Sequence, residues 1–177
     1  KSATEFLKVG DADFSVAHMT VDNNNGAIND ADLAAMGKVK GVGQVVGALI
    51  KTDKFDDSHP AVIQVGLAPE SQAPFGVVLL EGRSYTAASP TEVMLGADLA
   101  QSIHKGVGDT FRMGGRQRTV VGIYRTNVSY GNSTMMFPLS TLQAENQLTG
   151  QVTLAFVKVA PGAHPDVVAE RFNRQFV

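Results

Sequence analysis

The stretch from Val107 to Arg125, Val-Gly-Asp-Thr-Phe-Arg-Met-Gly-Gly-Arg-Gln-Arg-Thr-Val-Val-Gly-Ile-Tyr-Arg, constrains the fold more than any other part of the chain. It predicts a β-hairpin: one arm from Thr110 to Met113, a turn at Gly114-Gly115, and a return arm over residues 119–124. A Gly-Gly pair takes the positive φ values that tight hairpin turns need and that most residues resist. Alternation along the return arm puts Val121 and Ile123 on one face, and Val120 and Tyr124 on the other with Gly122 between them. Nothing in the stretch is chemically reactive, so it reads as scaffold.

The rest of the chain gives weaker but consistent signals. Residues 13–20 read as a strand with Phe14 and Val16 on one face, and residues 1–8 as the tail of a helix. Asn29 can cap a helix running to about Val39, with Leu33, Met36 and Val39 inward and Gly41 at its end. Strands are predicted over residues 42–50, 61–67, 75–80, 92–95, 134–137 and 152–159, and residues 53–60 form a polar turn. Further helices are predicted over residues 97–104, from Pro138 to about Leu148, and from Pro165 onward, where Val168, Phe172 and Phe176 recur as a stripe. The mixture and order argue an α+β architecture.

Length and composition bound the function. At 177 residues the chain holds one sizeable core, or two small subdomains sharing a seam. An apolar fraction of 44% and a charged fraction of 18% are those of a folded protein. The net charge of −2, with no basic run, leaves no nucleic-acid footprint. The absence of cysteine removes disulfides, thiolate zinc sites and Cys nucleophiles. No apolar run is long enough to span a bilayer, and no signal-peptide core opens the chain. Its ends, at Lys1 and Val177, read as those of an excised domain.

Reactive constellations are sparse. Asp22-Asn-Asn-Asn-Gly26 invites a calcium loop, but the sixth and twelfth positions are Ala27 and Leu33, so a solvated turn is the better reading. Asp56-Asp-Ser-His59 sets carboxylates beside an imidazole, in a context that suits an exposed hairpin tip. His18, His104 and His164 are scattered. Gly82-Arg-Ser-Tyr85 comes nearest to a nucleophile elbow but lacks the second glycine. Gly41-Val-Gly43 and Gly106-Val-Gly108 lack the rest of a nucleotide-binding fingerprint. Arg112, Arg116, Arg118 and Arg125 concentrate positive charge around the hairpin, which reads as a solvated strand face. No catalytic, cofactor-binding or metal-binding residue is assigned, and the partner-contact residues are left open.

Several stretches in fixed order carry a resemblance. They are Glu92-Val-Met-Leu-Gly-Ala-Asp-Leu-Ala100, Gly106-Val-Gly-Asp109, Thr119-Val-Val-Gly-Ile-Tyr124, Phe137-Pro-Leu-Ser-Thr-Leu142 and Phe156-Val-Lys-Val-Ala-Pro-Gly162. Together they resemble the extracytoplasmic core domain of MacB-type ABC transporter permeases, a group related to the LolC/LolE and FtsX-like proteins. The resemblance implies two discontinuous lobes. A porter-like α/β sandwich takes residues 8–70 and 132–177, and a small mixed lobe containing the hairpin, residues 71–131, is inserted between them. It implies a non-enzymatic domain without cofactors on the extracytoplasmic side of the cell membrane. Its implied partners are a cytoplasmic ABC ATPase, a second permease copy and an adaptor or other extracytoplasmic protein, with no nucleic acid. A sensor or signalling module of the same family is the alternative.

Three structural expectations follow. Residues near 70 and near 130 should lie together at a hinge crossed by few contacts. Met135, Met136 and Phe137 should pair into the sheet of Phe14 and Val157, separate from the sheet of the hairpin. The isolated domain should be monomeric or weakly dimeric.

Overall fold

A computed structural model describes residues 13–17, 28–127 and 129–176. The readings of residues 1–8, of His18 and of Asp22 to Gly26 lie outside the described residues. In chain order the elements are β1 (Phe14–Ala17), β2 (Ile28–Asn29), α1 (Asp30–Gly37), β3 (Val42–Asp53), β4 (Val62–Gly66), β5 (Val78–Gly82), β6 (Glu92–Gly96) and α2 (Ala97–Ile103). They continue with β7 (Thr110–Met113), β8 (Arg116–Arg125), β9 (Met135–Phe137), α3 (Leu139–Glu145), β10 (Gln151–Val152), β11 (Leu154–Val159) and α4 (Pro165–Phe176). Short 3-10 turns occupy Pro69–Ser71 and Ser129–Ser133.

Local chemistry explains most of these boundaries. Asn29 forms a reciprocal capping box with Asp32: its side chain accepts from the Asp32 N–H, and the Asp32 carboxylate accepts from the Asn29 N–H. Gly114 and Gly115 both have positive φ, 61° and 74°, as a type I′ turn demands. Along α4, Val168 and Phe172 are buried, and the Phe172 ring meets Phe14 edge-on at 5.3 Å.

One mixed sheet of nine strands, among the described residues, runs in the order β1-β11-β3-β4-β9-β6-β8-β5, with β7 paired to β8. β3 joins its two ends. Val42 to Ala48 pair with β11, whereas Leu49 to Asp53 pair with β4, so the strand changes neighbour halfway along. Alternation along β3 and the packing of Leu33, Val168, Leu99 and Leu142 place the four described helices on one face. At the centre of the other face, Val46, Val65, Met94, Tyr124 and Met136 pack under Phe75 and Val77, which precede β5, and Tyr85, which follows it.

Two expectations are corrected here. β9 pairs in parallel with β4 and antiparallel with β6, so the sheet is continuous from Phe14 to the hairpin. Because β4 and β9 run parallel, the chain leaves β4 towards Pro69 at one end of the pair and enters β9 from Ser133 at the other. The two crossings therefore do not form a common hinge. Two of the three apolar clusters also draw on both the 71–131 segment and the chain ends, so the seam is packed. Met135, Met136 and Phe137 are buried on both faces of the sheet, and their two strand neighbours, β4 and β6, join the chain-end strands to the hairpin.

A third correction concerns the hairpin. Val120 and Ile123 pack with the helices, while Val121 and Tyr124 face the other side. Val93 pairs with Val120 but Met94 with Gly122, so Val121 is the extra residue of a β-bulge. One inserted residue inverts the alternation beyond it.

Candidate interaction surface

Among the described residues β5 ends the sheet and pairs with β8 alone. Every residue of it is exposed, and Val78, Leu79 and Leu80 stand 42–47% open. Leu80 has no partner in the register, because Leu79 pairs with Tyr124 and Glu81 with Ile123. Glycine lets this edge lie close: a Cβ on Gly122 would come within 2.3 Å of the Arg83 carbonyl oxygen and 3.1 Å of Leu79 Cδ1. Val107, also exposed, sits beside Gly82. Leu80 further walls a cleft of about 450 Å³ with Ala97, Ala100, His104, Lys105 and Ile123. The result is an apolar ridge rimmed by Glu81, His104 and Lys105, the composition of a protein-contact surface.

The only assembled reactive-looking group among the described residues lies elsewhere. His59 Nδ1 is 2.8 Å from Asp56 Oδ1, and His59 Nε2 is 2.7 Å from Ser102 Oγ. The Asp56 carboxyl is held below the usual carboxylate range, chiefly by its hydrogen bond with His59. Sequence reading places Asp56 and His59 on an exposed tip, as observed, but misses Ser102, which is 43 positions away on α2.

The order Asp–His–Ser matches a catalytic triad, yet the surroundings oppose acyl transfer. Ser102 lies in the last turn of α2, where the helix dipole is negative and an oxyanion is disfavoured. The nearby N–H groups of His104 and Lys105 donate to the carbonyls of Ala100 and Gln101, so they cannot form an oxyanion hole. Asp98 lines the same cleft and adds a like charge. The relay instead clamps the β3–β4 tip to α2. A fluorophosphonate probe is therefore expected to leave the chain's intact mass unchanged. An adduct that disappears in Ser102→Ala would reverse this reading.

The remaining candidates separate. His104 is exposed at the α2 C-terminus with φ 55°, and His164 is exposed ahead of α4. Ser84 receives a hydrogen bond from Gln72 at 2.8 Å, and Tyr85 is buried, with its hydroxyl donating to the Leu67 carbonyl. Burial pushes the Tyr85 phenol well up. The positive φ of Gly41 and Gly108 marks turns. Arg112, Arg116 and Arg125 are exposed as expected, but Arg118 is not. Its guanidinium donates to both Glu145 oxygens, at 2.8 and 2.7 Å, beneath the surface. Among the described residues no cluster of His, Asp and Glu could hold a metal ion, and no helix is long and apolar enough to cross a membrane. The β5 ridge went unassigned in the sequence, where its only signal is the non-alternating Val77-Val-Leu-Leu80.

Among the described residues the fold is a mixed sheet with its helices on one face and an exposed apolar edge strand. The chain belongs to the family described as the MacB-like periplasmic core domain, which matches residues 2–175. Its fold is similar to that of the periplasmic region of MacB from Actinobacillus actinomycetemcomitans. The TM-score is 0.67 at 15% identity, over 87% of this chain and 75% of that one. It is also similar to the extracellular domain of the noncanonic ABC-type transporter YknZ from Gram-positive bacteria. There the TM-score is 0.63 at 16% identity, over 89% of this chain and 86% of that one. Comparison with curated proteins finds no match.

Proposed function

We propose that the chain is the non-enzymatic outer domain of an ABC transporter permease in the cell membrane, in efflux or in lipoprotein or peptide export. It engages a substrate or an extracytoplasmic partner protein and moves when a separate cytoplasmic ABC ATPase hydrolyses ATP. Membership of the MacB-like family supports the setting. The observation that carries the contact role is the β5 ridge, a strand whose every residue is exposed and whose Val78, Leu79 and Leu80 are apolar. The division into a porter-like lobe, residues 8–70 and 132–177, and an inserted lobe, residues 71–131, is retained as part of this reading. One apolar cluster drawn wholly from the chain ends supports it. The packed seam favours the two lobes moving as one body, which suits transmission of a stroke from the membrane.

A sensor or signalling module needs the same outer shape, and the coding sequence on either side separates the two. Transmembrane helices on both flanks with an adjoining ATPase would support transport. A stand-alone secreted chain would overturn the permease reading. The contact surface has its own test, Leu79→Lys with Leu80→Lys in the full permease. Crosslinking to the extracytoplasmic partner or substrate should fall about ten-fold, while thermal stability stays close to the parent, because both side chains are exposed on an edge strand. Undiminished crosslinking would remove β5 from the contact surface.

A further inference from the structure

The change of neighbour along β3 leaves a notch in the sheet. β11 stops pairing at Leu154 opposite Ala48, and from Leu49 to Asp53 the strand partner of β3 is β4. Thr153 fills the first position: its N–H donates to the Ala48 carbonyl at 3.1 Å, and its Oγ1 accepts from the Ile50 N–H at 2.8 Å. The Ile50 N–H therefore points into the notch. In an antiparallel strand a residue's N–H and C=O leave on the same side, and that side recurs every second residue. With no register shift between β3 and β4, the Ile50 carbonyl and both polar groups of Thr52 point there too. No hydrogen bond from a described residue reaches the Thr52 N–H, and Thr52 is exposed.

The space beside this edge is a cleft of about 650 Å³, within the range of ligand sites. Beyond β3 and Thr153 it is lined by Gln64, Asn146 and Leu154. We propose that the notch binds an extended polypeptide segment by strand addition in line with β11. The occupant follows from the donor and acceptor spacing. An open strand edge presents N–H and C=O groups two residues apart, and an extended peptide backbone matches that repeat. Gln64 and Asn146 line the cleft; their amide nitrogens already donate to Met113 Sδ and the Leu142 carbonyl, and their side-chain oxygens can accept from further peptide N–H groups. Residues 50–53 span roughly 13 Å at the strand rise, so three or four peptide residues fit. This site is separate from the β5 ridge and holds whichever role that ridge has.

The test uses the 177-residue chain and a pool of acetylated, amidated random hexapeptides. Peptides should be captured, and at saturation the Thr52 amide should show slowed hydrogen exchange. Thr52→Pro removes the N–H facing the notch without touching the β4 ladder, and it should weaken the captured peptides roughly ten-fold, the size of one hydrogen bond. If that variant does not fold, N-methylation of successive peptide amides takes its place. Methylating alternate positions should abolish binding while the intervening positions tolerate it. No capture, capture indifferent to Thr52→Pro and to N-methylation, or a Thr52 amide already protected in the free chain would each overturn the proposal.

Discussion

Replacing Glu145 with Gln should destabilise the domain by about 3 kcal/mol, the low end of the loss when one partner of a buried ion pair is removed. For a domain of this size that corresponds to a fall in Tm of about 6–12 °C. Arg118 is the reason. Its side chain is 3% exposed and Glu145 13%, and the pair is bidentate. The guanidinium also donates to the Pro90 carbonyl at 3.2 Å and lies 4.9 Å from the centre of the Phe137 ring. Its Nε is buried with no hydrogen-bond partner. A cation already short of one bond cannot lose its counter-charge cheaply.

Arg116, 3.6 Å from Glu145 but largely in water, cannot substitute for the buried interaction. The double change Arg118→Met with Glu145→Leu should recover most of the loss, because it leaves no buried charge behind. Calorimetry checks both. A Glu145→Gln variant within about 0.5 kcal/mol of the parent, the range of an ordinary surface change, would mean that water reaches the pair. The pair also ties the hairpin arm β8 to α3, so its loss should loosen the segment 71–131 from the chain end.

Gly96→Ala is the second large effect. Gly96 closes β6 and precedes α2, and its N–H donates to the Thr134 carbonyl at 2.9 Å. A Cβ there would lie 2.3 Å from the Asn132 carbonyl oxygen and 2.5 Å from its carbon, both backbone atoms. Asn132 has little freedom to retreat, because its side-chain oxygen holds the Thr126 N–H at 2.7 Å. Overpacking against backbone should cost about 3 kcal/mol, the upper end of the usual range. Gly37→Ala is the control. It sits in α1 with nothing within 4 Å of its added methyl, and it should be neutral or stabilise by about 0.4–1 kcal/mol. Urea denaturation of the two variants checks the contrast, and equal midpoints would refute the close approach.

Much of the local structure was legible in the residues. The Gly114-Gly115 turn, the Asn29 cap, the α4 stripe and the strand at Glu92-Val-Met-Leu95 follow from backbone preference and periodicity, which act over a few positions. The motifs around Gly96 and Gly106 were enough to indicate the family. The continuity of the sheet was not legible. Nothing within Met135, Met136 and Phe137 says whether they have strands on one side or both. Nor does the alternation of residues 119–124 announce the bulge at Val121, which shows only in the shifted pairing of β8 with β6.

The candidate sites divide in the same way. Asp56 and His59 are close in sequence, and their pairing is a local matter. Ser102 reaches them only because α2 packs beside the β3–β4 tip. Arg118 looked like one of four solvated arginines until α3 brought Glu145 over it. The exposed β5 edge and the notch beside Thr52 belong to no residue pattern, since an unpaired strand edge is defined by the strand that is missing. The chain by itself therefore determined its turns, caps, strands, helices and family. Only the tertiary structure decided which strand edges remained open and which charges were buried, because both depend on contacts between residues far apart in sequence.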